Sequence, residues 1–289
     1  MHSRSFFLGV SSIFLLALAA CSSSPSNPTG GGGSTGTTST TGTTGGTGGG
    51  TGGAGGGTGG TGGGAPAPKC TMPTAVPCSD AVILQMNLKK DVTPGLITSQ
   101  ADGDGFTSNI DATAGGAFAS EPNSYTYGKF TDAGLTKVDI SDEDALDSMA
   151  WDIAFRRYVV RINSGNSGPS CVEAARLPGK PKYEDVTTVD AGLLFHKDDY
   201  FTQSCDLIPD GSGLMGSPAT ALSSYWTYPG CVQMTDHVFV IALADGRHVK
   251  FQVNDYYKPD VQEKCDTTGS IPMTGTGSAN FIVRWAYLP

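Results

Sequence analysis

Residues 151–168 read WDIAFRRYVVRINSGNSG, and the fold is decided by how this run is read. Trp151, Asp152, Ile153, Ala154 and Phe155 lead as a compact apolar stretch into Arg157-Tyr158-Val159-Val160-Arg161-Ile162. Period-2 alternation there puts Tyr158, Val160 and Ile162 on one face of a strand and both arginines on the other. The strand then stops in Asn163-Ser164-Gly165-Asn166-Ser167-Gly168, a run of turn formers.

The same period recurs towards the C-terminus. Residues 238–243 are continuously apolar, as expected of a strand buried on both faces. Asp245-Gly246 is a hairpin turn signal. In the return strand Val249, Phe251 and Val253 share one face, and His248, Lys250, Gln252 and Asn254 the other. Phe281, Val283, Trp285 and Tyr287 alternate likewise, and Tyr125-Thr126-Tyr127 with Phe130 reads as a further short arm. The clearest helix is brief: Ser141 can cap it, Asp144 stands three residues on, and acidic residues fill its first turn. These signals predict a single all-β domain with at most one short helix.

Residues 1–20 have the form of a secretory signal, with a weakly basic start, a short apolar core and small residues before Cys21. Leu18-Ala19-Ala20-Cys21 resembles the bacterial lipobox, which implies that Cys21 is acylated. Each buried acyl CH₂ contributes about 0.8 kcal/mol, so several chains make a stable anchor. Ser22 and Ser23 follow, with no Asp beside the cysteine, which favours the outer membrane or cell surface of a Gram-negative bacterium. From 21 to 69 the chain is almost wholly Gly, Thr, Ser and Pro, without apolar surface to offset ordering entropy, and is expected to be a disordered tether. The folded domain is then 70–289. Its role between Cys70 and Phe118 is not legible.

A formal charge of -9 and a pI near 4.8 argue against nucleic acid as a partner. Beyond Cys21, Cys70, Cys78, Cys171, Cys205, Cys231 and Cys265 are an even set in an exported chain and read as disulfides. None has C-x-x-C spacing, which disfavours a zinc or thioredoxin-like site. Catalytic sets are absent too. Ser167 in Gly165-Asn166-Ser167-Gly168-Pro169 superficially matches a protease nucleophile loop, but only His2 precedes it. His196, His237 and His248 are the remaining histidines, with His248 expected to face solvent. Asp102-Gly103-Asp104-Gly105 lacks the later ligands of a calcium loop and reads as a solvated turn. The chain is not expected to be an enzyme.

The 151–168 run, together with Trp226, the segment VFVIALADGRHVKFQVNDYY from Val238 and the closing FIVRWAYLP, resembles the HmuY family of haem-binding lipoproteins. The resemblance implies an HmuY-like β-rich fold and a surface-anchored protein that binds haem, or a related porphyrin, without catalysis. Its partners would be the membrane, through the lipid, and haem or a haem-carrying protein. In the family two side chains hold the iron between two β-hairpin fingers, histidines in some members and methionines in others. The position after Pro209-Asp210-Gly211 is here Ser212, and five residues after Trp226 stands Cys231, so neither expected histidine is present. Met215, Met234 and His237 are the substitute ligands, with His196 behind them. A Cys205–Cys231 disulfide bracketing that cleft is the preferred pairing, with Cys70–Cys78 closing a short loop. A disulfide-stabilised structural or adhesive surface module that has lost haem is the alternative. Oligomeric state is left open.

Overall fold

The computed structural model describes residues 66–116 and 122–289. The signal segment, Cys21 and the Gly/Thr-rich run up to residue 65 lie outside the described residues, as does Phe118. No helix among the described residues is long and apolar enough to cross a membrane.

In chain order the strands are β1 (Ile97–Asp102), β2 (Gly105–Asp111), β3 (Thr126–Thr131), β4 (Gly134–Val138), β5 (Ile153–Arg156), β6 (Val159–Ile162), β7 (Glu173–Arg176), β8 (Trp226–Thr227), β9 (Gln233–Met234), β10 (Val238–Ala242), β11 (His248–Asp255) and β12 (Asn280–Leu288). They are joined by three helices, α1 (Ser79–Gln85), α2 (Asp142–Ala145) and α3 (Pro259–Thr268). The strands form a six-stranded sheet in the order β1-β2-β12-β11-β10-β7, a four-stranded sheet β4-β3-β5-β6 and the small pair β8-β9. Every pairing is antiparallel.

The four-stranded sheet is the middle layer. Ile153, Phe155, Val160 and Ile162 on one face join the core shared with Phe251, Phe281 and Trp285 of the large sheet. Phe130 lies edge-on to Trp285 at 4.9 Å, and Phe155 meets Phe281 at 5.3 Å. The other face, with Tyr127 and Ala154, packs with Trp151 on a second core that includes Val82 of α1, Met86 just after it, Leu146, Tyr200 and Phe201. A third cluster covers the outside of the large sheet, where Val238 and Val240 meet Tyr183 and Val186. That coverage explains why β10 is buried along its whole length.

Several expectations change in this frame. The fold is mostly β, as expected, but carries two more short helices than the one read at Ser141. That one forms as anticipated, with the Ser141 hydroxyl accepting from Asp144 N. In α3 only Val261, Gln262 and Cys265 are buried, so no apolar stripe advertises it. Pro259 in its first turn and Gly269 in the left-handed conformation at its end bound it instead. Residues 151–168 are a hairpin rather than one strand. Arg156 pairs with Val159, so Arg157 and Tyr158 form a two-residue turn, and only Arg161 faces away from Val160 and Ile162.

The six cysteines form three disulfides, Cys70–Cys171, Cys78–Cys205 and Cys231–Cys265. The preferred Cys205–Cys231 pair is thereby overturned, and so is the Cys70–Cys78 loop. Residues 69–74 run beside 169–173, with Thr74 N bonded to Pro169 O at 2.9 Å and Lys69 paired with Glu173 at 2.6 Å, which carries Cys70 to Cys171. Cys78 starts α1 beside the 202–206 turn, and Cys231 faces the buried side of α3. Asp102-Gly103-Asp104-Gly105 is the β1–β2 turn, its carboxylates paired with Arg284 and Lys250. His248 is half-buried beside Phe195, and burial lowers its pKa.

Candidate functional site

The polar groups of 151–168 point inward. Arg161 is fully buried, its Nε donating to Ser167 Oγ at 3.0 Å and its Nη2 to Ser167 O at 2.7 Å. Ser167 Oγ donates to Asp198 Oδ2 at 2.6 Å and lies 3.1 Å from Tyr200 Oη. Asp198 also accepts from Ile162 N and Ala221 N, so one carboxylate ties β6 to the segment that begins the cleft described below. Burial raises its pKa to about 6 against the opposing pull of those bonds and Arg161. The Tyr125 ring stacks under the guanidiniums of both Arg161 and Arg156, at 4.7 Å and 4.1 Å. Arg156 in turn pairs with the buried Asp142 at 3.4 Å.

The remaining residues of the run serve the same clamp. Asp152 accepts from Phe130 N at 3.0 Å, Trp151 Nε1 donates to Ala145 O at 3.0 Å, and Asn163 Nδ2 bonds Ser148 O and Trp151 O. Gly168 is there because a Cβ would sit 2.2 Å from Asn163 Oδ1 and 2.8 Å from the Trp151 ring. Ser167 is fully buried, and its hydroxyl is spent on Asp198 within the clamp, out of reach of a substrate. The clamp holds structure together.

The open site lies elsewhere. Residues 209–218 form a loop closed by an isolated bridge between Pro209 and Pro218. The Asp210 carboxylate is spent on that loop, accepting from Ser212 N at 2.9 Å and Ser217 Oγ at 2.6 Å. Opposite stands the β8–β9 pair. A cleft of about 580 Å³ is lined by Asp210, Ser212, Trp226, Tyr228, His237 and Arg176, among others. That volume is in the range of small-molecule and cofactor sites, roughly 300–1,000 Å³.

His237 is the best-placed donor. Its Nδ1 lies 2.9 Å from Ser224 O, and because a carbonyl can only accept, Nδ1 carries the proton. The same oxygen accepts from Thr235 Oγ1 at 2.8 Å. Nε2 is left with its lone pair, the arrangement by which a second hydrogen bond orients a metal-binding imidazole.

The other expected ligands are not brought together with it. Met215 is 98% exposed on the loop and does not line the cleft. Met234, opposite Trp226 in the β8–β9 pair, packs against the main core. His196 bridges Ala174 through its backbone and lines two other hollows, one of which shares Arg176 and Ser224 with this cleft. Ser212 does line the cleft, whereas Cys231 is buried in its disulfide and its sulfur is committed. Arg176 and Tyr228 were not anticipated, since a lone arginine on an edge strand and a tyrosine after a short strand carry no local signal.

The family profile described as HmuY protein matches residues 122–269. No curated protein matches the chain. Among solved structures, a candidate lipoprotein of Bacteroides fragilis aligns with a TM-score of 0.40 and 15% identity over 66% of this chain and 92% of its own. A candidate HmuY-like haem-binding protein of Bacteroides vulgatus aligns with a TM-score of 0.40 and 17% identity, covering 67% of this chain and 96% of its own. The apo form of an HmuY analogue of Tannerella forsythia gives 0.34 and 17%, covering 69% and 99%.

Proposed function

Because the chain belongs to the HmuY family, we propose that it binds haem or a related porphyrin, without catalysis, in the cleft between the loop carrying Asp210 and the β8–β9 pair. The observation that carries the reading is His237, whose protonated Nδ1 is held by Ser224 O and whose Nε2 is a competent iron ligand. Bound haem would supply an iron centre and its visible absorption. The protein's part is to hold it. Tyr228 offers an exposed ring, the buried Trp226 stands edge-on to it at 6.2 Å in the cleft wall, and Arg176 suits a propionate carboxylate. Of the two ligands the family resemblance implies, the cleft lining offers one imidazole and no thioether.

The three disulfides fit an exported protein. With them the reading includes acylation at Cys21 and display on the cell surface, the Gly/Thr-rich run acting as tether. Transfer of the full chain to the soluble fraction in Cys21→Ser is the expected outcome, and continued membrane attachment would overturn it.

One observation favours the second reading, a structural surface module without haem. Ser212 and Cys231 stand where the family resemblance puts histidines, and Cys231 is bonded to Cys265. A haemin titration separates the two. The haem reading expects a saturable Soret shift at one equivalent, lost in His237→Ala and retained in Met215→Ala and Met234→Ala. Loss in either methionine variant but not in His237→Ala would overturn the assignment of His237. No shift in ferric or ferrous haem, with disulfides intact, would favour the structural module.

A further inference from the structure

A second, smaller hollow of about 230 Å³ has a chemistry of its own. Arg157 and the tyrosines 158, 228, 256 and 257 line it. Tyr228 is shared with the His237 cleft, so one ring separates the two. Tyr256 and Tyr257 stand edge-to-face at 4.9 Å. Tyr257 Oη accepts from Val232 N at 3.1 Å, which leaves its own hydrogen free to donate. Burial raises the pKa of Tyr158, Tyr256 and Tyr257, so these phenols remain donors at neutral pH.

Arg157 is the unusual member. It occupies the two-residue β5–β6 turn with φ of 51°, a left-handed conformation that suits Gly or Asn and that arginine rarely adopts. Its backbone N bonds Ala112 O at 2.7 Å, which pins the turn, and Nη2 reaches Gly116 O at 3.1 Å. Nε is buried with no hydrogen-bond partner among the described residues. A residue in a strained conformation, bearing an unpartnered buried donor beside a cavity, is the pattern from which a binding role is inferred.

We propose that this tyrosine-walled hollow binds a small planar organic anion, an aromatic ring of single-ring size bearing one carboxylate, through the Arg157 guanidinium. The volume is below the range of drug-sized sites and far too small for a porphyrin as well as its propionates. The ring faces give edge and stacking contacts, and the guanidinium with the phenol hydroxyls gives charge-assisted bonds to the carboxylate. The assignment stands apart from the haem reading, because none of its donors is His237 or Arg176.

Calorimetric titration of the full chain with 4-hydroxybenzoate tests it. Saturable one-to-one binding is expected, with the uncharged 4-hydroxybenzamide at least tenfold weaker. Arg157→Gly should bind at least tenfold more weakly while melting no lower than the parent chain, since glycine takes the turn without strain. Arg157→Lys keeps the charge but loses the fork, and a severalfold weakening is expected of it. His237→Ala should bind 4-hydroxybenzoate unchanged, whatever it does to haemin. Absence of saturable heat, equal binding of the amide, or parent-like binding by Arg157→Gly would overturn the proposal.

Discussion

The clamp behind residues 151–168 and the cleft around His237 are both built from arginine, aspartate, serine and tyrosine, yet they use them in opposite ways. In the clamp Arg161, Ser167, Asp198 and Tyr200 are fully buried and spend their polar atoms largely on one another. In the cleft Arg176 and Tyr228 are exposed, Met215 beside it is almost wholly so, and His237 keeps one nitrogen unspent. Charges taken out of water are tolerated only where they are paired and bonded, so the clamp is intolerant of change where the cleft is not. The difference teaches that the run which identifies the family is a piece of architecture. Its retention says that the fold is kept, and it is silent about the ligand.

The largest effect expected from this contrast is at Arg161. Arg161→Met leaves Asp198 and Ser167 buried without the guanidinium beside them and should lower the unfolding free energy by about 3–5 kcal/mol. The exposed Arg176→Met should stay within about 0.5 kcal/mol. Urea unfolding of the two variants checks this, and equal losses would erase the distinction between clamp and cleft.

The Cys231–Cys265 disulfide comes next, because it joins the cleft's β8–β9 side to α3 across 34 residues of chain. Replacing both cysteines by serine should cost about 3–4 kcal/mol on loop-closure grounds. It should also weaken haemin binding if that wall of the cleft is held by the bridge. Calorimetry and haemin titration on the double variant read both.

Protonation sharpens the comparison further. Asp198 titrates near pH 6 in the folded chain and at its ordinary value of 3.8 when unfolded. Between those values the folded state holds the extra proton, so this group's contribution is greatest at low pH and is lost as pH rises through about 6. Asp142 and Asp152, also raised by burial, act in the same sense, and His248, lowered, acts in the opposite one. The slope of unfolding free energy between pH 7 and pH 5 should therefore flatten in Asp198→Asn relative to the parent chain. An unchanged slope would mean that Asp198 is not the titrating group.

The smallest expected effect on stability is at His237. His237→Ala removes one neutral hydrogen bond, worth about 0.5–1.5 kcal/mol on the net scale. That variant should be nearly parent-like in its melt and the one that abolishes the haemin spectrum. A large drop in melting temperature would move His237 from the cleft into the structural class.

Much of the fold was legible because it is written in local patterns. A continuous apolar run located β10, period-2 alternation located β11 and β12, Asp245-Gly246 located the β10–β11 hairpin, and Ser141 with Asp144 located the start of α2. The candidate site was legible only in part. His237 was among the candidates, while Arg176, Tyr228 and the strained Arg157 enter their cavities from β7, from the end of β8 and from the β5–β6 turn. No spacing in the chain joins those positions.

By itself the sequence determined the β character of the domain, the even set of six cysteines and the family to which the chain belongs. These depend on residue type and on neighbours a few positions away. Tertiary structure alone decided which cysteines meet, since the bridges span 101, 127 and 34 residues and the partner of each depends on which segments lie side by side. It also decided that the arginine face of β6 is covered. Alternation tells which residues share a face, but whether water or another layer lies over that face depends on where Tyr125, Asp198 and Tyr200 come to lie. Here they close around Arg161, and a charged side chain became part of the interior of the protein.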